Sequence, residues 1–311
     1  MRSLACLGAV SGSVVSLVVC ACNPGPTASA APPSMGAAVT AAASGSGGPP
    51  ASDPSSTEGT AGVDAAQVEF PSGALTLGGF LFRPPGAGPF PAIVFNHGSE
   101  AQPSEGRDQA RFYVPHGFVL FVPHRRGQGV SKAAGVDITT VFHAGQPDAP
   151  DLVDALVAQA DDVMAAVAYV AALPYVDRQR IATVGCSFGG IEALLAAERG
   201  TGLVAAVDFA GAAIMWNRSP PLRARLALAA RSAKVPVFFL QAENDFNTMP
   251  SRVLSEEMRQ AGKPARMHIF PPNGVTPMQG HGFCRAGRAP AWGDEVLEFL
   301  ADAMAPVSRA P

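Results

Sequence analysis

The sequence has little cysteine, no strong charge bias and no histidine cluster, and each shortage excludes a class of function. Five of the 311 residues are cysteines, and only Cys186 and Cys284 lie beyond residue 22. Neither these two cysteines nor the six histidines show a metal-binding spacing such as HExxH, so we expect no metal and no other cofactor. The net charge is −3 and no block of Lys and Arg stands out, which argues against nucleic acid or acidic lipid as a partner.

Residues 1–22 show the pattern of an export signal. A single charge, Arg2, precedes a run of small and apolar residues that is short for a membrane span. The run ends in V-C-A-C, which resembles a bacterial lipobox and implies a lipid on Cys22, although Cys20 is an unusual residue at its position. An ordinary secretory signal and an uncleaved anchor are the alternatives. We expect an exported protein, held on a membrane through Cys22 and facing the periplasm or the cell surface.

The rest of the chain divides into a linker and one domain. Residues 23–65 are rich in Pro, Ala, Gly, Ser and Thr and contain no aromatic residue. Such a segment cannot bury enough apolar surface to offset the entropy lost on ordering, so it is predicted to be a disordered linker. In residues 66–311, apolar strand patterns alternate with helical patterns, which predicts a single α/β domain with a mostly parallel sheet flanked by helices.

The run GCSFGG, residues 185–190, carries the main chemical signal. It lies between RIATV, a buried strand pattern, and IEALLAAERG, a helical pattern. A turn tight enough to expose its central residue forces that residue towards positive φ, and a Cβ two positions before or after it would clash. Gly185 and Gly189 meet this requirement, and the helix N-terminus favours negative charge near Ser187. We predict that Ser187 is the nucleophile of a nucleophile elbow; a purely structural βα turn is the alternative.

A nucleophilic serine of this kind is followed along the chain first by an acid and then by a histidine. The strand pattern at residues 235–245 ends in QAEND, where Asp245 is the predicted acid and Glu243 its competitor. Asp245 is preferred because it lies further past the strand end, where the loop can turn back. His281 is the predicted base because its flanking glycines allow the loop to fold over the serine. Its rival, His268, lies inside a strand pattern and is expected to be a core or sheet-face residue.

These three residues predict acyl transfer. His281 takes the proton of Ser187 as the serine attacks a carbonyl, and Asp245 orients the imidazole. The oxyanion that forms needs two donors, for which we predict the backbone N–H groups of Phe188 and Ser99. Phe188 directly follows the serine, and Ser99 follows a buried strand that ends in His97-Gly98. The side chain of His97 is expected to be structural.

Five motifs together resemble those of the bacterial α/β-hydrolases, in particular the dienelactone hydrolase-like group. They occur in the order seen in that group: HGS, PHRRGQGVS, VDRQRIATVGCSFGG, QAEND and GHGF. The resemblance covers nearly all of residues 68–304 and implies an eight-stranded hydrolase sheet and cofactor-free hydrolysis of a small-molecule ester or lactone. The alternatives are a peptidase or acyltransferase that uses the same three residues, and a binding lipoprotein without activity.

The sequence departs from that group at the elbow. Dienelactone hydrolases proper have cysteine at its centre, whereas this chain has Ser187, so a serine carboxylesterase is the safer implication. Cys186 stands one position too early to fit the glycine spacing of a nucleophile. If Ser187 and His281 are in contact, Cys186 and Cys284 are close as well, and they are then either a disulfide of an exported protein or two buried free thiols.

Overall fold

The computed structural model describes residues 64–144 and 150–305. The predicted export signal, with Cys22, and the predicted linker up to residue 63 lie outside the described residues. No helix within the described ranges is long and apolar enough to cross a membrane.

Eight strands of the described chain form one sheet in the order β1-β2-β4-β3-β5-β6-β7-β8. Strand β2 pairs antiparallel with β1 and with β4, and all other neighbours are parallel. The predicted mostly parallel sheet of about eight strands is therefore confirmed. The strands are β1 (Ala66–Ser72), β2 (Leu75–Phe82), β3 (Phe90–Asn96), β4 (Val119–Pro123), β5 (Val176–Cys186), β6 (Ala205–Phe209), β7 (Val237–Ala242) and β8 (Ala265–Phe270).

Helices connect the strands and cover both faces of the sheet. In the described ranges they are α1 (Arg107–Tyr113), α2 (Ile138–Ala144), α3 (Pro150–Ala171), α4 (Phe188–Arg199), α5 (Pro220–Ser232), α6 (Met249–Gln260), α7 (Pro277–His281) and α8 (Ala289–Met304). Helices α3 to α6 contribute to the core on one face, and α1 and α8 to the core on the other. Side chains of the central strands alternate between the two cores: Phe239 of β7 packs on the first and Phe238 on the second. Burial on both faces explains why these strands are apolar throughout.

The parallel strands bring their carboxyl ends to one edge of the sheet. Asn96 at the end of β3 is paired with Gly185 of β5, and Cys186 is paired with Phe209 at the end of β6. The ends of β7 and β8 are likewise in register. The residues that follow these strands therefore meet at the same edge, where ligands bind in open α/β sheets.

A buried ion pair fixes the segment after β4. Asp162 of α3 is fully buried and accepts hydrogen bonds from the side chain of Arg126 at 2.7 and 2.9 Å and from its backbone N–H at 3.0 Å. Oδ1 of Asp162 also accepts a hydrogen bond from the Ser72 hydroxyl at 2.7 Å. A buried carboxylate is tolerated when it is paired and hydrogen-bonded in this way.

A second buried carboxyl makes stability depend on pH. Asp208 of β6 is 2 % exposed, and burial raises its pKa to about 7, although a hydrogen bond from the Gly211 N–H opposes the shift. Between its unfolded pKa of about 4 and its folded value, the folded protein keeps a proton that the unfolded chain has lost, so stability falls as pH rises.

We predict a smaller drop in melting temperature between pH 5 and pH 8 for Asp208→Asn than for the parent protein. Equal drops in the two proteins would contradict this prediction.

Candidate active site

Ser187 occupies the sharp turn between β5 and α4. Its φ is 58° and its ψ is −117°, a conformation that a non-glycine residue rarely adopts. The residue precedes the first turn of α4, and its backbone N–H donates to the carbonyl of Phe209 on the neighbouring strand at 2.9 Å. The turn thus presents the serine hydroxyl at the carboxyl edge of the sheet and beside a helix N-terminus.

Two glycines allow this turn to form. A Cβ on Gly185 would lie 1.9 Å from the carbonyl oxygen of Gly189, and a Cβ on Gly189 would lie 2.0 Å from the carbonyl oxygen of Asn96 and 2.6 Å from that of His97. These separations are far below van der Waals contact, and the atoms concerned are backbone, which cannot move aside locally. The predicted steric reason for glycine at both positions is therefore what the structure shows.

The three residues predicted to act together are in contact. The Ser187 Oγ lies 2.9 Å from Nε2 of His281, and Nδ1 of the same imidazole lies 2.9 Å from Oδ1 of Asp245. The side chain of Asp245 is fully buried and that of His281 is 11 % exposed. With the carboxylate on Nδ1, the proton of a neutral imidazole belongs on that nitrogen, which leaves Nε2 free to accept the serine proton.

Gln241 holds Asp245 in place, a contact that no sequence motif predicts. Its side-chain amide donates to Oδ2 of Asp245 at 2.9 Å, and its amide oxygen accepts from the hydroxyl of Ser251 at 2.7 Å. The Phe246 N–H donates to Oδ1 of Asp245 at 2.6 Å. Both oxygens of the Asp245 side chain therefore have hydrogen-bond donors, which fix its orientation. The available signal was a glutamine within the apolar run VFFLQA, because a buried amide requires partners.

The histidine loop is fixed by side-chain to backbone bonds. Helix α7 begins with a capping box between Thr276 and Gln279. The Asn244 amide, next to the acid, donates to the carbonyls of Asn273, Gly274 and Thr276. The β7 and β8 loops therefore hold each other, and with them the acid and the base.

The two rival residues lie elsewhere. Glu243 is exposed, and its backbone N–H continues the pairing with β8 by donating to the carbonyl of Phe270. His268 stands on β8 and places its Nδ1 2.9 Å from the carboxylate of Glu295 on α8. Neither residue is placed beside Ser187, in agreement with the preference for Asp245 and His281.

The two predicted oxyanion donors lie in segments that touch each other. Phe188 is the first residue of α4, and Ser99 follows the end of β3. The contact of Gly189 with the carbonyls of Asn96 and His97 brings these segments together. Burial lowers the pKa of His97 well below its usual value, with the charge of Arg125 adding to the effect, so that this imidazole is neutral. The assignment of the Phe188 and Ser99 N–H groups remains a prediction.

A disulfide joins Cys186, next to the serine, to Cys284, three residues after the histidine. The bond decides between the two states that the sequence left open. It spans 98 positions and ties the histidine loop to the elbow. A sulfur in this bond is not available as a thiolate nucleophile, which agrees with the assignment of Ser187. Within residues 64–144 and 150–305, no group of three or more His, Cys, Asp or Glu side chains is placed to hold a metal.

An eight-stranded sheet in this order, with a serine at the β5–α4 turn and an acid and a histidine after β7 and β8, defines the fold of the serine-type α/β-hydrolases. The family comparison is more specific. The chain belongs to the dienelactone hydrolase family, whose sequence profile matches residues 77–303. No curated protein sequence matches the chain.

Solved structures with the same fold include peptidases as well as a dienelactone hydrolase-like protein. The Pyrococcus horikoshii acylaminoacyl peptidase matches with a TM-score of 0.60 and 14% identity over 80% of this chain and 43% of its own. The Porphyromonas gingivalis dipeptidyl peptidase 4 matches with a TM-score of 0.59 and 19% identity over 76% of this chain and 35% of its own. A dienelactone hydrolase-like promiscuous phosphotriesterase from metagenomic libraries matches with a TM-score of 0.57 and 20% identity over 77% of this chain and 98% of its own. This chain therefore spans less than half the length of the two peptidases, whereas it covers nearly the whole of the phosphotriesterase.

The disulfide is predicted to stabilise the fold. Replacing both cysteines in the variant Cys186→Ala/Cys284→Ala should lower the free energy of unfolding by about 2–4 kcal/mol, because an uncrosslinked unfolded chain has more conformational entropy. Guanidinium unfolding monitored by circular dichroism measures the change. The parent protein treated with a reductant should approach the double variant. Alkylation of both Cys186 and Cys284 in the untreated native protein, located by peptide mass analysis, would show that the bond is absent.

Proposed function

We propose that the protein hydrolyses carboxylic esters or lactones through Ser187, His281 and Asp245, by way of an acyl-enzyme. The observation that carries the proposal is the continuous line of contacts at 2.9 Å from the serine hydroxyl through the imidazole to the buried carboxylate. Membership of the dienelactone hydrolase family supports hydrolysis as the type of reaction.

The first half-reaction acylates the serine. His281 accepts the hydroxyl proton at Nε2 as Ser187 Oγ attacks the substrate carbonyl, and Asp245 stabilises the imidazolium that forms. The backbone N–H groups of Phe188 and Ser99 are the proposed donors to the oxyanion of the tetrahedral intermediate. As this intermediate collapses, His281 returns the proton to the leaving alcohol. The acyl group is then bonded to Ser187.

The second half-reaction releases the acid. Water takes the place of the alcohol, gives its proton to Nε2 of His281 and attacks the acyl-enzyme. Collapse of the second intermediate returns the proton to Ser187 Oγ. Apart from substrate and water, each step uses only side chains and backbone groups of this chain, so the proposed reaction requires no cofactor.

Amide hydrolysis on the same three residues is the second candidate, because two of the structural neighbours are peptidases. Those proteins are more than twice as long as the matched region and share less than 20% identity with this chain. The phosphotriesterase named above is matched over nearly its full length. We therefore favour esters, whose alcohol leaving group is expelled more easily than an amine.

Replacing the serine tests the mechanism. The purified protein should hydrolyse a short-chain p-nitrophenyl ester and gain the mass of one fluorophosphonate adduct. Ser187→Ala should lose the adduct and lower kcat by at least about a thousandfold, because the nucleophile is gone. Ser232→Ala, on α5, is the matched control and should behave like the parent. The corresponding p-nitroanilide should be cleaved much more slowly than the ester. A folded parent protein that neither turns over the ester nor forms the adduct would favour a binding role over an enzymatic one.

We also propose that the protein is exported and lipid-anchored at Cys22. The disulfide between Cys186 and Cys284 supports export, because such bonds persist in oxidising compartments. In a bacterial host, Cys22→Ser should move the protein from the membrane fraction to the soluble fraction. Cys20→Ser provides the matched control and should leave it membrane-bound. Retention of the Cys22→Ser protein in the membrane fraction would instead indicate an uncleaved anchor.

A further inference from the structure

A fully buried arginine, Arg125, lies behind the loop that follows β3. It stands two residues after the end of β4 and is 0 % exposed. One of its terminal nitrogens, Nη2, donates to the backbone carbonyl of His97 at 2.9 Å and to that of Gly98 at 2.8 Å. Burying a guanidinium costs free energy, which these hydrogen bonds to backbone carbonyls partly offset.

These bonds fix the direction of a peptide group. The Gly98–Ser99 bond is trans, and in a trans peptide the N–H points opposite to the C=O. Because Arg125 holds the Gly98 carbonyl on its own side, the N–H of Ser99 is directed to the opposite side of the loop. The same reasoning applies to the His97 carbonyl and the N–H of Gly98.

The loop lies against the helix that carries the nucleophile. Gly189 of α4 is in backbone contact with the carbonyls of Asn96 and His97. Asn96 is also paired with Gly185 at the foot of the elbow, and its side-chain amide donates to Thr183 Oγ1 at 2.7 Å. The start of the loop is thus fixed relative to Ser187, and the orientation of the next peptide depends on Arg125.

Two buried glutamine amides extend the support to the carbonyl of Glu100. The Nε of Arg125 donates to Gln159 of α3 at 3.0 Å, and the Gln159 amide donates to Gln128 at 3.1 Å. Gln128 in turn donates to the carbonyl of Glu100 at 2.8 Å. The carbonyls of Gly98 and Glu100, on either side of Ser99, therefore accept hydrogen bonds from buried side chains that also bond to one another.

We propose that Arg125 is a positioning residue, which orients the Ser99 N–H as the second donor of the oxyanion hole. The proposal rests on the ester hydrolysis proposed above. Arginine suits the role because one nitrogen of its planar, permanently charged fork supplies two hydrogens to two successive carbonyls. Removing one oxyanion donor slows an acyl-transfer enzyme by a factor of about 10²–10³, so misdirecting it should slow catalysis by at least about tenfold.

Two neighbouring arginines allow a matched experiment. Arg125→Lys keeps the charge and loses the fork, and Arg126→Lys makes the same change in the residue that binds Asp162 instead of the loop. For each variant we would measure kcat and KM for the p-nitrophenyl ester, the melting temperature, and the inhibition constant of a trifluoromethyl ketone. The ketone forms a tetrahedral adduct with the serine, so its oxyanion occupies the hole.

We expect Arg125→Lys to lower kcat by about tenfold or more with KM within twofold, and to weaken trifluoromethyl ketone inhibition by a similar factor. Arg126→Lys should change the melting temperature without changing either constant beyond about twofold. If Arg125→Lys does not fold, Gln159→Met removes the acceptor on Nε and should produce the same pattern with a smaller, several-fold effect.

The results separate the two proposals. A parent protein with no turnover and no adduct contradicts the proposed function itself. If the parent is active and Arg125→Lys and Arg126→Lys affect catalysis and ketone inhibition equally, only the positioning role is contradicted. The positioning role is also contradicted if Arg125→Lys lowers the melting temperature but leaves catalysis and inhibition unchanged. That result would show that Arg125 supports the fold and not the oxyanion hole.

Discussion

The close approach of backbone segments at the β5–α4 turn is the constraint on which the rest of the site depends. The positive φ of Ser187 is possible because Gly185 and Gly189 leave no side chain between the turn, the first turn of α4 and the end of β3. The same close approach also packs the end of β3, which Ser99 follows, against the start of α4. The positions of Ser187 and of the β3 end are thus products of one steric arrangement, which the register of β3 and β5 maintains.

Asp245 and His281 are positioned by a different means. Asp245 lies in the loop after β7, and His281 ends the short helix α7 in the segment after β8. Such connecting segments move unless side chains hold them. Here Gln241 binds the carboxylate of Asp245, and Asn244 binds the carbonyls of the segment leading to His281. The disulfide from Cys284 closes the arrangement on the elbow side. The positions of Asp245 and His281 thus depend on polar contacts and a disulfide, whereas the conformation of Ser187 depends mainly on steric exclusion at the turn.

The parts of the site that were predictable are those set by local rules. The elbow follows from spacing within six residues, and the acid and histidine follow from strand order, so Ser187, Asp245 and His281 were identified before their contacts were known. Arg125 binds the carbonyl of Gly98, 27 positions earlier in the chain, and Gln241 binds Asp245, four positions later across a turn. A single sequence carries no spacing rule for either contact. The sequence places the two cysteines near each other, because they adjoin Ser187 and His281. Residue spacing carries no information on whether they are oxidised.

The position of the disulfide also bears on how the protein matures. Beyond the first 22 residues the chain has two cysteines, and both are in this bond. Two thiols admit one intramolecular pairing, so oxidative folding of the domain calls for an oxidant but leaves a disulfide isomerase nothing to correct. Cys186 ends β5, whereas Cys284 lies 98 positions later, in the segment that follows β8 and α7. The bond can therefore close efficiently only after the central sheet has assembled, and its closure would mark a domain in which His281 already lies beside Ser187.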